Sequence, residues 1–177
     1  ALPIYKALGG QIGQSLCEDE RLETCREILA KAKEKGVQIH LPSDSTIANR
    51  FAADAETSIA PSDQIPDGWM GLDVGPKTLE AYAEVVRSAK TLLWNGPLGV
   101  FELEPFAQGT RGLGEAIAAA TEAGTLFSLV GGGDSVAAVE QFGLANRVSY
   151  VSTGGGAMLE YLEGRVLPGI QAVYDAE

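Results

Sequence analysis

Three hydrophobic runs in this chain each lead straight into a glycine-rich turn, and no other feature restricts the fold as strongly. Thr91-Leu92-Leu93 enters Trp94-Asn95-Gly96-Pro97-Leu98-Gly99-Val100-Phe101-Glu102. Leu126-Phe127-Ser128-Leu129-Val130 enters Gly131-Gly132-Gly133-Asp134-Ser135, and Val148-Ser149-Tyr150-Val151 enters Thr153-Gly154-Gly155-Gly156-Ala157. The last two turns also open predicted helices. A strand that ends in glycines and feeds a helix presents unpaired backbone N–H groups beside the positive end of the helix dipole, a geometry that binds anions and phosphate above all. Repeated at neighbouring strand ends, it builds one crevice.

Helical and extended patterns alternate along the chain. Leu22, Cys25, Leu29 and Ala32 recur at three and four and predict an amphipathic helix over about 18–35, ended by Gly36. Val37 to Leu41 predicts a short strand, and Ser43-Asp44 offers caps for a short helix carrying Ile47 and Phe51. Residues 54–70 read as irregular, punctuated by Pro61, Pro66 and Asp67-Gly68. Pro76 suits the first turn of a helix with Leu79, Tyr82, Ala83 and Val86 on its apolar stripe. Strand 91–95 follows, then a helix capped by Thr110, with Leu113 and Ile117 inward and its end near Gly124. Strand 125–130, helix 135–142, strand 147–152 and helix 156–163 complete the pattern, the two helices stopped by Gly143 and Gly164. This alternation predicts an α/β fold, a Rossmann-like parallel sheet with flanking helices.

The 177 residues suit one domain or part of a larger one, and 45% hydrophobic content is ample for a core. No apolar run approaches the roughly 18 residues of a membrane span, and Ala1-Leu2-Pro3-Ile4-Tyr5-Lys6 lacks the layout of a signal peptide. A net charge of −11 argues against nucleic acid or an anionic membrane as partner. A nucleotide stays open, because backbone N–H groups hold phosphate without net positive charge. Cys17 and Cys25 have no metal-ligand spacing and read as reduced cytosolic thiols. His40 is the single histidine and reads as structural, which removes most support for serine or cysteine triads and histidine-based zinc sites.

Asp134 is the only acid within the two triple-glycine turns. Its carboxylate suits Mg²⁺ held against phosphate oxygens, and it equally suits a helix N-cap. Glu102 reads either as a carboxylate that accepts both hydroxyls of a ribose or as a solvated loop acid. Trp94 and Phe101 read as packing rather than as a stacking platform; Trp69-Met70 reads as a pocket wall, a lid or plain packing. Gly75-Pro76-Lys77-Thr78 lacks the spacing of a Walker A loop, and no G-x-G-x-x-G follows a strand, which weakens P-loop ATPase and NAD-binding readings.

Taken as ordered motifs, these residues resemble phosphoglycerate kinase. The resemblance rests on Ile65-Pro66-Asp67-Gly68-Trp69-Met70-Gly71-Leu72-Asp73-Val74-Gly75-Pro76-Lys77-Thr78, on the 94–102 turn, on Gly131 to Val139 and on Ser152 to Ala157. Leu162-Glu163-Gly164 and Leu167-Pro168-Gly169-Ile170 continue it, and it is strongest from 65 to 170. It implies part of the carboxyl-terminal, nucleotide-binding half of that enzyme, with Mg²⁺ and ADP or ATP as cofactors. By that likeness Gly71 and Leu72 face adenine with Pro97 and Val100 nearby, Asn95 lies near sugar and phosphates, and Glu102 binds the ribose. Gly132, Gly133, Asp134 and Ser135 meet the phosphates, Asp134 beside the metal. The catalytic role falls to the N–H groups of Gly154 and Gly155, offered to the transferring phosphoryl.

The same likeness implies parts expected to lie outside this chain: the half that holds phosphoglycerate, and the first part of the nucleotide half with its Gly-Gly-Ala-Lys stretch and phosphate-binding lysines. The family's sheet has the order 3-2-1-4-5-6, so the strand at 37–41 is expected as the third and those at 91–95, 125–130 and 147–152 as the fourth to sixth. Without the two central strands, open sheet edges and self-association are expected. Two functions follow. One is the nucleotide side of reversible phosphoryl transfer between 1,3-bisphosphoglycerate and ADP, giving 3-phosphoglycerate and ATP, inactive without its complementary amino-terminal domain. The other is a non-catalytic module that binds adenine nucleotide or assembles with itself. The family's setting is cytoplasmic, with plastid versions.

Overall fold

The structure, a computed structural model, describes residues 1–174. Its elements in chain order are α1 (Leu2–Ala7), β1 (Gln11–Ile12), α2 (Leu22–Glu34), β2 (Asp44–Ala48), β3 (Thr57–Pro61), β4 (Gln64–Ile65), β5 (Met70–Val74), α3 (Pro76–Ser88), β6 (Thr91–Asn95), α4 (Gln108–Glu122), β7 (Phe127–Gly131), α5 (Gly133–Gln141), β8 (Tyr150–Val151), α6 (Gly155–Leu162) and α7 (Pro168–Tyr174). The chain divides into two compact units, Ala1–Val85 with Leu98–Leu113, and Val86–Pro97 with Gly114–Glu177. Among the described residues no helix is long and apolar enough to cross a membrane.

In the first unit, β2 is the middle strand of an antiparallel sheet ordered β3-β2-β5, with Asp44 opposite Pro61 and Ala48 opposite Thr57. Successive side chains of a strand point to opposite faces, so Ile47 and Ala48 seed two separate cores. Ile47 packs with Ala60 and Ile65, flanked by Leu2 and Trp69. Ala48 packs with Leu72 and Phe106, flanked by Met70, Val100 and Leu103. A short parallel pair, β1 with β4, lies beside them in sequence register Gln11 to Gln64.

The buried polar residues of β2 explain why this strand defeats pattern reading. The Asp44 carboxylate accepts the Thr78 N–H at 2.8 Å, the Lys77 N–H at 3.2 Å and the Thr78 hydroxyl at 2.6 Å. It caps α3 from a distant strand and satisfies donors that the first helical turn leaves unpaired. A Cβ on Gly75 would lie 2.3 Å from that carboxyl carbon, so only glycine lets the strand approach the helix start. Ser45 bonds Ser62 across the sheet, hydroxyl to hydroxyl, at 2.7 Å.

Three expectations are corrected here. No helix carries Ile47 and Phe51: Ile47 lies in β2, whose backbone is satisfied by pairing to β3 and β5, and exposed Phe51 follows in the bend beyond it. The stretch 54–70 read as irregular holds β3, β4 and the start of β5. The predicted strand 37–41 does not form: the segment holds no helix or strand, and Val37 to His40 are exposed. The chain there is held by the Tyr82 hydroxyl, which donates to the His40 carbonyl at 2.9 Å, and by that of Tyr5, which donates to the Pro42 carbonyl.

The second unit carries the parallel sheet, ordered β6-β7-β8, with Thr91 opposite Phe127 and Leu129 opposite Tyr150. Trp94 and Val130, opposite each other in the sheet, are buried, as are Ile117 and Ala118 of α4 and Ala138 and Val139 of α5. The strands lie in chain order, and the fold class is the expected α/β arrangement of parallel strands and helices. Among the described residues β6 pairs with β7 alone, so its other edge is open.

Candidate functional site

The chemistry of the second unit is built at the ends of its parallel strands. β7 ends at Gly131, and Gly132 takes φ +87°, a backbone region that favours glycine, before α5 begins at Gly133. β8 leads through Ser152 and Thr153 to Gly154, which precedes α6. Neither helix start carries a side-chain cap. The N–H groups of Gly133, Asp134 and Ser135, and those of Gly155, Gly156 and Ala157, have no carbonyl four residues back within their helices, and each set sits at a positive dipole end.

The two helix starts adjoin. A Cβ on Gly155 would lie 2.3 Å from the Gly132 nitrogen and 2.8 Å from its Cα, so the α6 start rests directly on the backbone of the α5 start. A Cβ on Gly132 would in turn meet the Asn95 Oδ1 at 2.4 Å. Asn95, Gly132 and Gly155, from the ends of β6 and β7 and the start of α6, therefore converge, and Gly133, Asp134 and Gly154 stand next to them in the chain. Pro97 follows in the turn after β6. The arrangement can hold a tetrahedral oxyanion by backbone donors from two helices without any cation.

Ser135 stands differently from the sequence expectation for its side chain. It is fully buried at 0% exposure, and its hydroxyl accepts the Gly96 N–H at 2.5 Å. What it can offer a phosphate is its backbone N–H. The Trp94 indole N–H donates to the Gly96 carbonyl at 2.8 Å, so Trp94 and Ser135 grip the same turn from two sides. Trp94 and Phe101 are buried, as packing residues should be.

Asp134 is exposed within the first turn of α5, and Gly132 occupies the N-cap, so the capping alternative is corrected and the carboxylate remains free of that duty. No cluster of three or more histidine, cysteine or acidic side chains that suits a metal exists among the described residues. A single carboxylate beside phosphate-binding N–H groups fits Mg²⁺, which is typically bound by one or two carboxylates with substrate phosphates and water.

The remaining expected site residues lie in the first unit. Gly71 is half-buried; its N–H donates to the Ser15 hydroxyl at 2.9 Å, and Leu2 and Ile65 fill the space a side chain would take. Leu72 is a core residue at 8% exposure, and its carbonyl accepts the Val100 N–H at 2.9 Å. Val100 is half-buried against the same core, and Glu102 is exposed just beyond it.

Sequence reasoning missed what holds this loop. The Asp73 carboxylate accepts the Gly109 N–H at 2.7 Å and the Val74 N–H at 2.8 Å. Burial pushes its pKa up to about 6, against the opposing pull of those two N–H groups. Thr110, expected as a cap, lies inside α4, where its hydroxyl accepts the N–H groups of Leu98 at 3.1 Å and Gly99 at 3.3 Å. The available signal was the paired glycines, Gly99 and Gly109, that a buried carboxylate needs beside it.

Comparison with known proteins gives a consistent result. The family described as phosphoglycerate kinase matches residues 1–165. A phosphoglycerate kinase of Porphyromonas gingivalis is 55% identical over 168 residues, which are 95% of this chain and 40% of the relative. The solved phosphoglycerate kinase of Coxiella burnetii superposes with a TM-score of 0.92 at 44% identity, over 98% of this chain and 44% of that one. That of Pyrococcus horikoshii gives 0.79 at 28% identity, over 97% and 42% respectively. The chain thus spans about two fifths of the length of these relatives.

Proposed function

We propose, from the premise that this chain belongs to the phosphoglycerate kinase family, that it supplies the nucleotide side of reversible phosphoryl transfer between 1,3-bisphosphoglycerate and ADP. The observation that carries this reading is the contact of two uncapped helix starts at Gly132 and Gly155. Phosphoryl transfer asks a protein mainly for positioning and for charge stabilisation at the equatorial oxygens. Rigid N–H donors meet that demand without reorganising. In this reading Gly132, Gly133, Asp134 and Ser135 hold the nucleotide phosphates by backbone N–H groups, with Asn95 and Pro97 beside them. Gly154 and Gly155 present N–H groups to the phosphoryl in flight. Asp134 holds Mg²⁺, which neutralises phosphate charge when bound. Gly71, Leu72 and Val100 of the first unit meet the base, and Glu102 accepts hydrogen bonds from the ribose.

The 177 residues alone are proposed to bind nucleotide and not to turn over, the phosphoglycerate side being supplied by further chain. Calorimetric titration with Mg-ADP tests the reading. Saturable binding that Asp134→Ala weakens much more for Mg-ADP than for metal-free ADP supports it. Equal weakening of both removes the metal role, and no binding by the folded protein removes the nucleotide role. The open edge of β6 favours a second reading, association of two copies strand to strand. Light scattering that returns a single-chain mass across a dilution series excludes it.

A further inference from the structure

Asp73 is a buried carboxylate, 5% exposed, to which the proposed chemistry gives no task. It stands at the start of α4, where the dipole favours negative charge, and each of its oxygens accepts one backbone N–H. Two glycines are shaped around it: a Cβ on Gly99 would lie 2.3 Å from its Oδ1, and one on Gly109 would lie 2.2 Å from the same atom. Gly109 lies in the first turn of α4, and Gly99 belongs to the turn that carries Val100. The carboxylate therefore bonds one end of the 99–109 segment to β5 and lies in close contact with the other, where the Val100 N–H also reaches the Leu72 carbonyl at 2.9 Å.

We infer that Asp73 is a positioning residue for recognition of the nucleoside part of the ligand: it sets the 99–102 turn so that Val100 and Glu102 are held in place beside Gly71 and Leu72. It touches no ligand itself. This inference rests on the nucleotide reading above and adds to it a division of labour, in which the nucleoside part depends on Asp73 and the phosphates do not.

The test compares Mg-ADP with Mg-pyrophosphate, by calorimetry, for the wild type, Asp73→Asn and Gly99→Ala. Asn keeps the shape but turns one acceptor into a donor facing a donor; the alanine methyl displaces the carboxylate while leaving it present. Circular dichroism first verifies that each variant is folded. Both variants are expected to lose about tenfold in ADP affinity and less than about twofold in pyrophosphate affinity. Equal losses for the two ligands, or none for ADP, overturn the inference, the first by showing a general structural role. Wild-type protein that binds pyrophosphate as tightly as ADP overturns it while leaving the phosphate site standing. Wild-type protein that binds neither overturns the nucleotide reading as well.

Discussion

Replacing Gly155 by alanine strikes the contact on which the proposed phosphate site depends. The new methyl would sit 2.3 Å from the Gly132 nitrogen and 2.8 Å from its Cα, and neither atom belongs to a side chain that can rotate away. Relief requires α6 to withdraw by about 1 Å, and overpacking of this kind costs about 1–3 kcal/mol. Hydrogen bonds weaken steeply outside their usual lengths, so the same withdrawal takes the α6 donors out of reach of a phosphoryl held at α5. Losing one bond to a charged group, worth about 1.5–3 kcal/mol, lowers Mg-ATP affinity by about ten- to a hundredfold. Gly156 provides the control: a Cβ there meets nothing within 4 Å, and alanine should stabilise the helix by about 0.5–1 kcal/mol. Urea unfolding followed by circular dichroism, with calorimetry for affinity, measures both. Gly155→Ala and Gly156→Ala variants with the same midpoint and the same affinity would refute the reasoning.

Other perturbations have definite signs. Asp44→Ala removes the remote cap of α3 and leaves buried donors of Thr78 unsatisfied, at a cost of about 2–3 kcal/mol read by urea unfolding; an unchanged midpoint contradicts the capping role. The Asp73 carboxyl is raised to about 6. Its contribution to stability is therefore full below its unfolded value and is lost as pH rises through about 6, by about 3 kcal/mol. The deficit of Asp73→Asn relative to wild type should accordingly shrink as pH rises from about 4 to about 7, and parallel unfolding profiles would exclude a buried titration. Trp94→Phe keeps the ring buried but loses the N–H to the Gly96 carbonyl; a loss of about 0.5–1.5 kcal/mol in stability is expected, with Mg-ADP affinity weakened because Gly96 also anchors Ser135.

The parts of the fold that were legible are those written locally. β6 coincides with the predicted strand 91–95, and α5 starts within two residues of its predicted place, because an apolar run followed by glycines specifies both the strand and its exit. β2 was not legible for the opposite reason. Its apolar residues are few, its Asp44 and Ser45 are buried by partners 34 and 17 residues away, and β3 and β5 pair with it only in three dimensions. The segment 37–41 shows the converse, a strand-like pattern left without a neighbouring strand. In the candidate site, backbone donors at Gly132 to Ser135 and at Gly154 and Gly155 were visible as glycine runs. The side chains that hold the turns in place, Asp73, Thr110 and the hydroxyl of Ser135, were not, because their roles depend on partners distant in the chain.

The central claim is that helix-start N–H groups hold the phosphates of a nucleotide, and amide-resolved nuclear magnetic resonance during titration with Mg-ADP tests it most directly. Saturable shifts are predicted for the N–H signals of Gly132, Gly133, Asp134 and Ser135, shared by Mg-pyrophosphate, and for those of Gly154 and Gly155 when Mg-ATP replaces Mg-ADP. Saturable binding that leaves those six signals in place would contradict it.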